Sequence, residues 1–231
     1  MTRWTSTAAV KAITAVAFVG FASQAMAADV TWDRLLNAQN DDANWMMYHK
    51  DFSGHHHSGL KQINTKNVKN LKLAWQHNPS ATKRGIQGFP LAVDGIVYYT
   101  TTSGTIWAID GATGAPVWQH VAKIDVERAE GTFYNPYNRG LAISGGNVYM
   151  GTTDGRLIAL NAKTGAVVWD NEIMTVAQGN KGFTGAPLVV KDTVIIGANG
   201  GELSGCCGPI YAVDAKTGSV KWQFDTIGGD Q

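Results

Sequence analysis

The chain has 231 residues, 44% hydrophobic and 16% charged, with 27 glycines against six prolines and a formal net charge of +1. So even a charge balance argues against a nucleic-acid binder, which would present a basic face. There is no dinucleotide-binding glycine fingerprint, P-loop, nucleophile-elbow serine or Cys-x-x-Cys-His haem attachment.

Residues 1–27 read as a cleavable secretory leader. Arg3 and Lys11 make a positive start, residues 12–22 are largely apolar, and Ala25-Met26-Ala27 is a small-x-small cleavage site. The apolar run is well short of the roughly 20 residues of a membrane span. The expectation is export to a bacterial periplasm, where disulfides are permitted, of a mature chain without a transmembrane segment. Thr31-Trp32-Asp33-Arg34-Leu35-Leu36 suits a short N-terminal helix. An aromatic-rich arm follows over residues 44–54. His55-His56-His57, with His49 nearby, invites a metal reading. Adjacent histidines diverge on an extended backbone, however, and clustered histidine alone is only a compositional hint. A solvated loop is the expectation.

Leu71-Lys72-Leu73-Ala74-Trp75 begins with the alternation of a half-buried strand. Hairpin turns are expected at Asp94-Gly95, Gly145-Gly146 and Lys191-Asp192, the first being the strongest short hairpin cue. One stretch then recurs three times. Ala-Ile-Asp-Gly-Ala-Thr-Gly-Ala-Pro-Val-Trp at residues 108–118 returns at 159–169 and 212–222, with closing tryptophans 51 and 53 residues apart. Each copy ends a strand at Asp or Asn, turns at Thr-Gly where positive φ is needed, and delivers a tryptophan from the next strand onto a neighbouring repeat, so Trp118, Trp169 and Trp222 are each expected to pack between neighbouring blades. A period of about 50 residues without helical periodicity marks a radial β array. The fold class is therefore all-β, a propeller of four-stranded antiparallel blades occupying residues 28–231. Three to four blades are expected where closed rings have four to eight, so the array reads as incomplete and poorly stable on its own.

These tryptophan-closed repeats, with the lead-in from Gly59-Leu60-Lys61-Gln62-Ile63-Asn64 to Trp75, resemble the eight-bladed quinoprotein dehydrogenases. That family uses pyrroloquinoline quinone (PQQ) with calcium or a lanthanide. The resemblance covers nearly the whole mature chain and corresponds to the N-terminal part of such an enzyme. It implies that Glu202, after Asn199-Gly200-Gly201, ligates the metal while those three residues line the quinone. A carboxylate oxygen suits a hard cation, and paired glycines permit close backbone approach. It also implies that Thr184, in Phe183-Thr184-Gly185, hydrogen-bonds a PQQ carboxylate and that Arg139 pairs with another, a role for which a planar guanidinium is well made.

The chain departs from the family pattern in three places. Gln87 stands where many members have a glutamate that contacts the cofactor, so the hydrogen-bonding capacity stays and the charge is gone. Phe133-Tyr134 stands where the family often has adjacent cysteines, offering flat rings in their place. Cys206-Cys207 falls elsewhere, after Glu202. A vicinal disulfide there would be strained, and that bond, free thiols, an intermolecular bridge or a neutral buried pair all remain open. The family's metal-ligating asparagine and catalytic aspartate correspond to positions beyond Gln231, so no catalytic base is assigned within this chain. The implied function is oxidation of an alcohol to an aldehyde, with electrons passing to a periplasmic cytochrome c or a membrane quinone. The alternatives are a non-catalytic propeller that binds partner proteins in envelope assembly, and a truncated, inactive relative.

Overall fold

Each repeat folds into one four-stranded antiparallel sheet with its strands in sequential order. The computed structural model describes residues 29–79, 85–125, 129, 137–174, 182–199 and 208–227. Residues 1–27, where a leader is expected, lie outside these. The first sheet is β1 (Leu91–Val93), β2 (Ile96–Thr100), β3 (Thr105–Asp110) and β4 (Pro116–Val121). The second is β5 (Ala142–Ser144), β6 (Asn147–Gly151), β7 (Arg156–Asn161) and β8 (Val167–Glu172). The third is β9 (Leu188–Val190), β10 (Thr193–Gly197), β11 (Pro209–Asp214) and β12 (Val220–Asp225). The three expected hairpins form where the turn residues stand. Asp94, Gly95, Gly145 and Gly146 all hold positive φ, which the right-handed twist of a two-residue hairpin requires.

The Asp or Asn of each repeat closes its turn with its own side chain. Asp110 Oδ1 accepts from the amides of Ala112 (3.0 Å) and Thr113 (2.8 Å) and from the Thr113 hydroxyl. Asn161 and Asp214 do the same with Lys163 and Thr164, and with Lys216 and Thr217. Asp and Asn are interchangeable here because Oδ1 is the only atom this turn uses.

The tryptophans join one sheet to the next. Trp118 Nε1 donates to Ala162 O at 3.0 Å, and Trp169 Nε1 to Ala215 O at 3.1 Å. Both acceptors follow the turn-closing Asn161 or Asp214, and Tyr98 and Tyr149 hydroxyls donate to the same two carbonyls. Each indole ring also lies on the turn glycine of the following sheet. A Cβ at Gly165 or Gly218 would stand 2.7 or 2.8 Å from ring atoms of Trp118 or Trp169. Trp118, Trp169 and Trp222 occupy one register position, opposite Ala108, Ala159 and Ala212 and beside a bulge each time. Their surroundings differ, however. Trp169 is 8% exposed but Trp222 is 48% exposed, so the expectation that all three pack between blades fails for Trp222. Among the described residues nothing lies against the outer face of β12.

Residues 71–75 also depart from expectation, since they form no strand. Leu71 and Leu73 are exposed, and no described strand pairs with them. Trp75 nevertheless docks as the repeat tryptophans do. Its Nε1 donates to Gly111 O at 3.0 Å, and its ring covers Gly114.

Two apolar cores fill the gaps between sheets. One lies between the first and second sheets and includes Tyr98, Ile106, Ala108, Val148, Met150 and Ile158. The other lies between the second and third and includes Tyr149, Leu157, Trp169, Val194, Ile196 and Tyr211. The middle sheet thus buries both faces, and β7 is apolar without a break from Leu157 to Leu160. The expected helix α1 (Trp32–Leu36) is capped by the Thr31 hydroxyl, which accepts from Arg34 N. Arg34 donates to Asp94 through both terminal guanidinium nitrogens at 3.0 and 3.1 Å, and the Gly145 amide donates to Val30 O. The helix thereby pins together the hairpin turns of the first two sheets.

Candidate functional site

Strands β1, β5 and β9 are the inner edges of the three sheets, and the segments entering them are stitched backbone to backbone. The Phe89 amide donates to Arg139 O (3.1 Å), and the Arg139 amide donates to Thr184 O (2.9 Å). Phe89 and Gly140 form a parallel bridge. Arg139 and Thr184, 45 positions apart along the chain, are therefore direct neighbours. Gln87 is exposed, two residues before Phe89 on the same rim. Asn199 is tied to that rim by a reciprocal pair: its amide donates to Gly182 O, and its Oδ1 accepts from Gly182 N. Gly200, Gly201, Glu202, Cys206, Cys207, Phe133 and Tyr134 lie outside the described residues.

Arg139 faces outward, and no ion pair engages its guanidinium among the described residues. It borders a cavity of about 380 Å³ between the inner edges of the second and third sheets and the N-terminal arm. Met46, Met47, Leu141 and Pro187 wall the cavity, and His49 stands on its lining with Arg139. Thr184, Gln87 and Asn199 are on the rim and not on this lining. A solvent-facing guanidinium beside an apolar recess suits a flat anion, its carboxylates toward the charge and its ring toward the apolar wall. This donor set fits a planar polycarboxylate such as PQQ.

Two features of the rim were not found by sequence reasoning. Tyr48, His49, His56 and Phe89 form an aromatic group, with Tyr48 and Phe89 centroids 4.9 Å apart. His49 Nδ1 and His56 Nε2 are within hydrogen-bonding distance at 2.5 Å, and all four histidines from His49 to His57 are exposed. No group of three His, Cys, Asp or Glu gathers among the described residues. The second feature is Asn138, 4% exposed. Counting back seven positions from the first hairpin-turn residue (Asp94, Gly145, Lys191) reaches Gln87, Asn138 and Thr184. The observed bridge of Phe89 to Gly140 keeps that register. Asn138, and not Arg139, is thus the register equivalent of Gln87 and Thr184. Turn counting would have found it, whereas matching each residue by its following glycine hides it.

A sheet array joined by docking tryptophans, with an exposed arginine at its inner edge, defines a propeller of the quinoprotein kind. Residues 45–231 match the model of the PQQ glucose/ethanol/alcohol dehydrogenase β-propeller domain, and the chain belongs to that family. The dehydrogenase subunit of the quinone-type alcohol dehydrogenase of Gluconacetobacter polyoxogenes is 42% identical over 93% of this chain and 30% of its own length. The lanthanide-dependent methanol dehydrogenase of Methylacidiphilum fumariolicum is 36% identical over 86% of this chain and 33% of its own length. Among solved structures, a quinohemoprotein alcohol dehydrogenase from Pseudomonas putida superposes with a TM-score of 0.81 at 36% identity, over 88% of this chain and 30% of that one. The chain thus spans about 30% of the length of the curated relatives it matches. No described helix is long and apolar enough to cross a membrane.

Proposed function

We propose that this chain is the N-terminal part of a periplasmic, PQQ- and metal-dependent alcohol dehydrogenase, exported by the leader at residues 1–27, with residues 28–231 as part of its propeller. The reaction removes two electrons and two protons from an alcohol to give an aldehyde, and the electrons pass to a cytochrome c or a membrane quinone. PQQ, when bound, supplies the two-electron acceptor. The chain's own residues bind and orient it. Arg139 pairs with one carboxylate, the Thr184 hydroxyl donates to a second, and Gln87 hydrogen-bonds as a neutral donor. Asn199, Gly200 and Gly201 let the backbone approach closely. Glu202 offers a carboxylate oxygen to calcium or a lanthanide, either of which prefers hard oxygen ligands. No residue of this chain is assigned the proton-accepting base. Cys206 and Cys207 carry no assigned role.

The observation that carries this reading is Arg139, unpaired among the described residues and locked by its backbone to Phe89 and Thr184 at the edge of an apolar recess. The test uses the full-length polypeptide containing this chain, supplied with PQQ and either calcium or lanthanum. Arg139→Ala and Glu202→Ala are each expected to lose the quinone absorbance and dye-linked alcohol oxidation. Retention of both signals in either variant would remove that residue from the site. Retention in both variants would overturn the reading.

A further inference from the structure

We propose that Asn138 is the positioning residue that aims Arg139 at the cofactor. This rests on the reading of Arg139 as a PQQ ligand. Asn138 is buried, and both polar atoms of its amide are committed. Its Oδ1 accepts from Gly140 N at 2.9 Å, and its Nδ2 donates to Gly151 O, also at 2.9 Å. The first bond spans two residues, so the side chain closes a tight turn with Arg139 at its apex. The second fastens that turn to the end of β6. Gly140 holds φ at +139°, a conformation that needs glycine. The Arg139 amide and carbonyl are in turn spoken for by Thr184 and Phe89.

Arg139 thus has a fixed backbone on four sides and an outward side chain. A long cationic side chain loses rotamer entropy when it pairs with an anion, and a fixed origin lowers the cost of doing so. Without the Asn138 amide, the Gly140 amide and the Gly151 carbonyl lose their partners. The apex is then free to rotate, and the guanidinium searches a wider volume.

The experiment is a titration of full-length apoprotein with PQQ at fixed calcium, following quenching of tryptophan fluorescence. The variants are Asn138→Ala, Asn138→Ser, Arg139→Ala and Asn138→Ala with Arg139→Ala. Arg139→Ala is expected to weaken Kd by about tenfold or more, the worth of a charge-assisted hydrogen bond. Asn138→Ala is expected to weaken it by about three- to tenfold. Asn138→Ser, whose hydroxyl closes the same turn more weakly, is expected to recover part of that loss. In the Arg139→Ala background, Asn138→Ala should change Kd by less than about twofold, because residues acting through one contact are not additive. Multiplying losses in the double variant would overturn the proposal, as would Ser giving no recovery. If Asn138→Ala does not fold, Asn138→Ser carries the comparison, and an unchanged Kd there overturns the proposal. An unchanged Kd in Asn138→Ala beside a weakened Arg139→Ala sinks the positioning role alone. An unchanged Kd in Arg139→Ala sinks the underlying ligand assignment and the proposal with it.

Discussion

Gly165 holds φ at +70° beneath the Trp118 ring, while Gly145 holds φ at +58° with nothing within 4 Å of its missing Cβ. The pair separates backbone strain from docking. Gly145→Ala should cost about 1–2 kcal/mol, the penalty of a left-handed conformation with a Cβ. Gly165→Ala should cost that and about 1–3 kcal/mol more, because the new methyl group collides with the indole. Denaturant midpoints at constant slope test both, and equal losses would mean that Trp118 yields without strain. The tryptophans offer a matching contrast. Trp169→Ala should cost about 3–5 kcal/mol as a buried aromatic, and Trp222→Ala, half exposed, under about 1 kcal/mol. Burial drives up the hydroxyl pKa values of Tyr98 and Tyr149, so both stay protonated donors to the docking carbonyls far above neutral pH.

At the scale of the element, the three turns differ in how they respond to acid. The Thr113 hydroxyl and amide hold the Asp110 carboxyl below its ordinary range, and the Thr217 amide does so for Asp214. The unfolded chain therefore takes up these protons first. The stabilisation is complete above about pH 4 and is lost as pH falls through the lowered folded values. Asn161 makes the same turn without titrating. Asp110→Asn with Asp214→Asn should flatten the acid limb of thermal midpoint against pH, and an unchanged limb would place the acid sensitivity elsewhere. These turns were fully legible in sequence, because a side chain bonding to its own next few residues is local information. Trp75 was legible as a residue and not as an element. Its neighbours carry a strand's pattern, but a strand needs a partner, and no described segment supplies one. The rim was half legible. Arg139 and Thr184 could be named by resemblance, while Asn138 required the register of three sheets, a long-range property that neighbouring residues do not encode.

At the scale of the molecule, the middle sheet is covered on both faces and the outer strand of the third sheet is not. Val220, Trp222 and Phe224 are 47, 48 and 61% exposed along β12. A sheet edge with apolar side chains invites pairing with another chain. The 231-residue chain alone is expected to self-associate. Trp222→Glu with Phe224→Lys should shift it toward monomer in sedimentation velocity, and a wild-type monomer at tens of micromolar would refute the idea. Propeller repeats announce themselves in sequence through their period, which is why the architecture was readable. The cavity was not, because its walls come from the arm and two different sheets.

Every docking tryptophan reaches forward, Trp75 to Gly111, Trp118 to Ala162 and Trp169 to Ala215. In the exported chain proposed above, the N-terminal end also emerges first, and each anchor waits for an acceptor about 36 to 46 residues further on. During that interval the newest sheet has one covered face and one bare one. Holding chaperones that receive the emerging chain therefore meet apolar surface at points fixed by the spacing of its tryptophans, and a stall that falls just before an acceptor turn lengthens the exposure.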